Sequence, residues 1–342
     1  MKLITDAWHR SHGATFEDYF GCEIPSHYGS PEEEYWNLRK GIALRDVSFF
    51  GKVKITGKDA QTFLHRMVSN DIKSLVPGKG TWALFLDIKG HIQGDFKLYA
   101  FPSHLLMVLQ HYVRDRVVQG LDRYVISEQV AFADVTEDHG MIQLLGPRAE
   151  DFLKSKNVTP PAEPLSVTSA RIAEIDTDII RLGAGFAVLC VASDSMILLD
   201  RLDAPVIGMR AFEVYRIEQG LSLLGKDVEE ANFPQEGRME GALNFQKGCY
   251  LGQEVMARID AQGHVNKFLM GIVSDQPLAG GEKLYSGEKE VGKITSVAHS
   301  PMFQKTVALG YVRRELANEG QQILAGDNRT TVIVKALPMA QG

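Results

Sequence analysis

One pattern occurs twice in this chain, and it limits the folds open to it. Val53-Lys54-Ile55-Thr56-Gly57-Lys58-Asp59-Ala60 is followed by Phe63 and Leu64. Ile142-Gln143-Leu144-Leu145-Gly146-Pro147-Arg148-Ala149 is followed by Phe152 and Leu153. The interval from the glycine to the Phe-Leu pair is the same in both. Each copy reads as a strand, a glycine turn and a helix start. Two copies imply two related α+β halves and are too few for a solenoid. Thr56 and Asp59 have the spacing of a capping box. Ala60, Phe63, Leu64, Met67 and Val68 then give the helix an apolar face.

Between the copies lies a strand with two unlike faces. His91, Gln93, Asp95, Lys97 and Tyr99 alternate with Ile92, Gly94, Phe96, Leu98 and Ala100. Successive strand residues point to opposite faces, so five polar groups share one side. Such a face is either an exposed sheet surface or the polar wall of a cleft with Asp95 at its centre. Leu105 to Gln110 reads as the next strand, and Val113, Val117, Leu121 and Tyr124 as an amphipathic helix. The prolines at 160, 161 and 164 mark a connector. Strand-like runs follow at Ala170–Ile175, Ile179–Leu182 and Phe186–Val191, then a helix from Arg210 to Gln219 closed by Gly220.

After Gly263 the texture changes to short strand-like runs, Phe268–Val273, Val291–Val297, Thr306–Val312 and Thr330–Val334, separated by Gly, Pro, Asp and Asn. These suggest a small β-barrel. The fold class expected is therefore α+β, with a region over 1–263 and a barrel over 264–342. The two halves of the first region run about 45–140 and 141–263, with the N-terminal segment wrapping around them.

With 37 Lys and Arg against 43 Asp and Glu, the net charge is −6. That lacks the basic excess of a general nucleic-acid binder. No apolar run approaches the ~20 residues of a membrane span, so no membrane partner is expected. The first twenty residues lack the apolar stretch of a secretory signal. The three cysteines, Cys22, Cys190 and Cys249, are far apart and odd in number, which fits reduced thiols in a cytoplasmic setting. The ten histidines form no metal motif, and His9 and His12 read as a frayed N-terminal face.

The densest chemistry lies in Lys247-Gly248-Cys249-Tyr250-Leu251-Gly252-Gln253-Glu254. It sets a thiol, an amine, a phenol, an amide and a carboxylate around two glycines. A thiol beside an ammonium tends toward the thiolate. The segment resembles the Lys-Gly-Cys-Tyr-x-Gly-Gln-Glu signature of YgfZ-type folate-binding proteins, within the superfamily of the glycine-cleavage T-protein, an aminomethyltransferase. Other segments are similar to the T-protein pattern: Gly21-Cys22-Glu23-Ile24-Pro25, Asp46-Val47-Ser48, Asn70-Asp71-Ile72, Arg216-Ile217-Glu218-Gln219-Gly220 and Leu309-Gly310-Tyr311-Val312.

The resemblance implies three domains, two mixed α+β and a C-terminal β-barrel, around a channel for tetrahydrofolate or a one-carbon derivative. It implies Asp95 as the carboxylate that supports the reacting folate nitrogen, with Asp95 and Cys249 as the catalytic candidates. Tyr99, Arg216, Lys247 and Tyr250 join Asp95 as folate-binding candidates, and no resident metal is implied. The first Asp of the family's Asp-Asp pair is replaced by Gly94. The Glu that grips the pterin in T-proteins falls on Gly183. Cys249 can serve as a nucleophile, a redox thiol or a transient cluster or metal contact; a single Cys cannot hold an iron–sulfur cluster alone. The function implied is folate-linked one-carbon chemistry in maturation or repair of iron–sulfur enzymes, and through them tRNA modification. The partners are then a reduced folate and iron–sulfur proteins or their assembly factors. The alternative is a tetrahydrofolate-dependent aminomethyl- or methyltransferase of the T-protein type, with a lipoyl carrier protein as partner.

Overall fold

A computed structural model describes residues 1–263 and 265–340. Residues 264, 341 and 342, at the ends of the expected barrel region, lie outside the described residues. The chain forms two compact units. One holds residues 1–85, 93–211 and 244–251; the other holds 86–92, 212–243 and the residues from 252 onward.

The first unit opens with helix α1 (Asp6–Ser11), the hairpin of β1 (Thr15–Tyr19) and β2 (Cys22–His27), and helix α2 (Pro31–Lys40). Ser30 caps α2, its hydroxyl accepting the Glu33 amide at 3.3 Å, with Pro31 in the first turn where no amide is needed. His9 does not lie on a frayed surface. It is fully buried, with Nε2 2.8 Å from Asp46 Oδ2 and Nδ1 2.6 Å from the Tyr28 hydroxyl. The correction has a simple cause: Asp46 is itself buried and needs partners.

The two halves follow. The first runs from β3 (Ala43–Asp46) through β4 (Gly51–Thr56), α3 (Ala60–Met67), β5 (Gly80–Leu86), β6 (Ile92–Ala100), β7 (Leu105–Leu109) and α4 (His111–Asp122). The second runs from β8 (Ala131–Asp134) through β9 (His139–Leu145), α5 (Ala149–Ser155), β10 (Val167–Ile172), β11 (Ile175–Leu182), β12 (Gly185–Val191) and α6 (Ser195–Leu202). One sheet has the order β5-β6-β7-β4-β8 and the other β10-β11-β12-β9-β3. The orders match position by position, so the repeat in sequence is a repeat in topology. The turn glycines match too. Gly57 has φ +111° and Gly146 φ +107°, and a Cβ would lie 1.9 Å from Gln129 O in the first and 2.6 Å from Gly41 O in the second. The capping box does not form. Asp59 instead accepts the Gln129 amide at 2.8 Å, which the turn leaves without a sheet partner.

Each half takes its last strand from the other. β3 leads into β4 but pairs with β9, while β8 leads into β9 but pairs with β4. Where the linkers cross, they hold each other. Met141 N donates to Ser48 Oγ at 3.0 Å, and Lys52 N donates to Thr136 Oγ1 at 3.0 Å. Val47 N reaches Met141 O, and Val135 N reaches Lys52 O, both at 2.9 Å. The Lys52 side chain is fully buried here, donating to the carbonyls of Ser48 and Phe50 at 2.8 and 2.9 Å. Burial lowers its pKa to about 8 against the nearby Asp46 and Asp134 charges.

Helix α7 (Met209–Gln219) ends at Gly220, at φ +71°. After α8 (Gln253–Gln262) comes a closed six-stranded barrel of β13 (Lys267–Ser274), β14 (Lys283–Ser286), β15 (Lys289–Ser300), β16 (Lys305–Arg313), β17 (Gln322–Ala325) and β18 (Thr330–Lys335). Met270, Ile272, Leu284, Ile294, Val312 and Val334 fill its interior. Leu269, Val307, Leu309 and Tyr311 point outward onto Ile217 of α7. Mixed α+β sheets followed by a closed barrel is the architecture expected. Among the described residues no helix is long and apolar enough to cross a membrane.

Candidate functional site

Strand β6 keeps its alternation. Ile92, Gly94, Phe96 and Leu98 are buried, while Gln93 and Asp95 are partly open and Lys97 is exposed. Gly94 is dictated by packing, because a Cβ there would lie 2.2 Å from Val117 Cγ2 on α4. A side chain at 94 would have to displace Val117, and glycine avoids that contact. Asp95 points to the other face, where the Trp82 indole N–H of β5 donates to its Oδ1. Burial raises the Asp95 pKa, against the pull of Lys97 and the indole bond. A carboxyl lifted toward neutrality is suited to accept and return a proton. Tyr99, expected on the same polar face, is 1% exposed. Its ring fills the space beside Gly80, where a Cβ would meet Cδ1 at 2.5 Å. Tyr99 is thus packed into the core at the end of β6, not open on the polar face that the alternation alone predicts.

The Lys247 loop is seated on α3 and the residues after it. Asn244 N donates to Ser69 O at 2.9 Å, His65 Nε2 lies 2.9 Å from Lys247 O, and Lys247 Nζ donates to His65 O. On its other side, His65 Nδ1 lies 3.0 Å from Asp71 Oδ1. His65 therefore ties Asn70-Asp71-Ile72 to the loop, a role that sequence reasoning missed. Its one signal was its position at the end of α3, a turn ahead of that triplet. Half-burial lowers the Lys247 pKa to about 8, partly restored by Asp71 and Cys249. The Lys247 ammonium stands 5.0 Å from the centroid of the Tyr250 ring. Tyr250 is buried, which pushes its hydroxyl up to about 12. Cys249 is exposed, whereas Cys22 and Cys190 are buried. Lys247, Cys249 and Tyr250 are thus brought together, and the motif continues past Gly252 (φ +82°) into α8.

Arg216 takes a different place. It is fully buried in the unit that carries the barrel, and all five N–H donors are used. Nε and Nη2 bond Glu213 at 2.6 Å each, Nη1 bonds Asp227 at 2.7 Å and Leu221 O at 3.1 Å, and Nη2 also bonds Ser296 at 2.7 Å. No donor remains for a ligand carboxylate. Arg216 is held here as an anchor within its unit, where the resemblance had implied a folate contact. Gly183, where T-proteins carry a Glu, lies in open space: a Cβ there would meet nothing within 4 Å.

The model of the GCVT N-terminal domain family matches residues 5–247, and that of the glycine cleavage T-protein C-terminal barrel domain matches residues 267–339. The chain belongs to the glycine cleavage T-protein family. Among curated relatives, the aminomethyltransferase of Bacillus pumilus is 27% identical over 90% of this chain and 89% of its own length. That of Thermotoga petrophila is 28% identical over 89% and 87%. The crystal structure of the glycine cleavage system aminomethyltransferase T from Bartonella henselae superposes with a TM-score of 0.89, at 22% identity, covering 99% of this chain and 98% of that one. That likeness establishes the fold. This T-protein relative is an aminomethyltransferase-like chain, and tetrahydrofolate is the cofactor that its family implies.

Proposed function

We propose that this chain binds a reduced folate and transfers a one-carbon unit, as a tetrahydrofolate-dependent aminomethyl- or methyltransferase of the T-protein type. The observation that carries the reading is Asp95: a carboxyl raised by burial, held by Trp82 on the polar face of β6. That pairing fits a flat nitrogen heterocycle, with the carboxylate for a ring nitrogen and the indole edge beside it. Tetrahydrofolate, when bound, supplies the nitrogens that carry the one-carbon unit. Asp95 orients such a nitrogen and accepts or returns its proton. Lys247 adds an ammonium on the loop seated against α3, beside the ring of Tyr250. A lipoyl carrier protein is the partner that this reading calls for. The test is transfer from an aminomethylated lipoyl carrier to tetrahydrofolate. Turnover that falls at least a hundredfold in Asp95→Asn supports it, and absence of turnover in the wild type removes it.

A second reading, a YgfZ-type accessory protein for iron–sulfur enzymes, is favoured by one observation. Cys249 is exposed within a loop fixed by His65 and Lys247, and aminomethyl transfer has no need of a thiol. Complementation of a strain lacking its YgfZ-type gene tests it, read as iron–sulfur enzyme activity. Rescue by the wild type but not by Cys249→Ser, at equal abundance, selects this reading. Rescue by both variants assigns the function to the folate site alone.

A further inference from the structure

We propose that Trp82 is a positioning residue for Asp95, one that commits one carboxylate oxygen and leaves the other to meet a lone N–H of the ligand. The inference rests on the folate reading above and deepens it. Asp95 Oδ1 accepts the Trp82 indole N–H, whereas Oδ2 has no hydrogen-bond partner among the described residues. The charge acting on Asp95 is that of Lys97, two positions along β6, and among the described residues the two form no ion pair.

The indole can hold its place because the strand that carries it is clipped. β5 is an edge strand, with β6 on one side only. Its outer edge is occupied by the segment after α3, which stands in for a further strand. Val68 bridges Phe85, and the buried Ser69 donates its amide to Leu84 O at 3.0 Å and accepts the Leu84 amide on Oγ at 2.8 Å. Asn70 Nδ2 donates to Trp82 O at 2.8 Å, and its Oδ1 accepts the Asp71 amide at 2.8 Å. The backbone around Trp82 is therefore held from both edges, and the side-chain torsions alone set the direction of the N–H. A donor fixed in this way favours the ionised carboxylate, against the burial that raises its pKa. It also keeps Asp95 from turning both oxygens onto a two-pronged, amidine-like edge. A lone amine nitrogen is the partner that fits Oδ2.

Nuclear magnetic resonance of the ligand-free full chain tests the pairing without any turnover. The chain has three tryptophans, each with one indole N–H. We expect one indole signal to follow a carboxyl titration with a midpoint above 3.8, and to lose that response in Asp95→Asn. In Trp82→Phe the Asp95 side-chain carbon should titrate about one pH unit higher, the loss of one hydrogen bond to a charged group. In the transfer assay the same variant should lower kcat about tenfold and leave KM within about threefold, since a carboxylate turned from the reacting nitrogen costs the reaction more than the binding. An indole spectrum that ignores Asp95, or an Asp95 midpoint unchanged in Trp82→Phe, overturns the proposal. So does a higher KM with kcat unchanged, which would make Trp82 a binding contact only. The Asp95→Asn comparison leaves Trp82 in place, so it decides the pairing even where Trp82→Phe fails to fold. Absence of turnover in the wild type removes the folate reading alone, and the titrations still decide whether Trp82 governs Asp95.

Discussion

The Thr136 hydroxyl accepts the backbone amide of Lys52 at 3.0 Å, at the point where the two sheet linkers cross. Ser48 does the same for Met141 from the opposite linker. Both acceptors are buried, so neither amide has water as a substitute. We expect Thr136→Val to lower unfolding free energy by about 1–3 kcal/mol, the cost of an orphaned buried donor. Urea titration followed by circular dichroism measures it, and Ser48→Ala should behave alike.

The same crossing gives stability a defined pH dependence. The Lys52 pKa falls from 10.5 unfolded to about 8 folded. The unfolded chain therefore binds more protons between those values, and stability rises with pH across about 8 to 10.5. At neutral pH the buried ammonium is a liability of about 3 kcal/mol at most. Asp46 works at the acid end. Burial would raise it, but the His9 bond and charge, with Ser48 and Thr5, hold it below 3.8. Its contribution is present above pH 3.8 and is lost as pH falls through the lower folded value. Denaturation midpoints between pH 3 and 10.5, for wild type and Asp46→Asn, would show both limbs, with the acid limb flattened in the variant.

Asp95→Asn should leave the fold intact, because the Trp82 indole can donate to an amide oxygen as it does to the carboxylate. Relief of a partly desolvated charge should leave the unfolding midpoint unchanged or slightly higher. One-carbon transfer should fall by about 10² or more. In the wild type the rate should rise with pH through a carboxyl pKa above 3.8, since the ionised form is the acceptor. A pH–rate profile on both proteins checks this.

Thiol reagents should label Cys249 first. Cys22 and Cys190 are buried, and burial raises the Cys22 thiol to about 11. We expect Cys249 to react at least tenfold faster in the folded protein at pH 7. Peptide mapping after timed alkylation reads each site separately.

The two glycines that stand where the T-protein pattern carries acids should respond in opposite ways. Gly94→Ala drives a Cβ to 2.2 Å from Val117 and should destabilise by about 1–3 kcal/mol. Gly183→Glu enters open space and should be tolerated. If a pterin is gripped as in T-proteins, Gly183→Glu should also tighten tetrahydrofolate binding, which calorimetry would measure beside an unchanged unfolding midpoint.

The repeat, the polar strand and most of the barrel were legible in the sequence because periodicity and turn glycines are local signals. β14 and β17 were missed, being four-residue strands with too little pattern to register. The N-terminal latch was misread because His9 gains its meaning from Asp46, which is remote in sequence. For the same reason His65 was overlooked. Arg216 was read from its match to the family pattern and Tyr99 from strand alternation, and neither signal carries the burial and partner geometry that surround them in the fold.

The exchange of β3 and β8 also sets an order of events during synthesis. Arg45 and Gln143, cross-strand neighbours, are 98 positions apart. At ordinary translation speeds β3 leaves the ribosome roughly 5–20 s before its partner exists. During that interval the nascent chain holds a strand with nothing to pair against, so the first half cannot finish as an autonomous folding unit. A break between α4 and β8 would therefore strip an edge strand from each fragment, and the two pieces would regain both sheets only by assembling with one another.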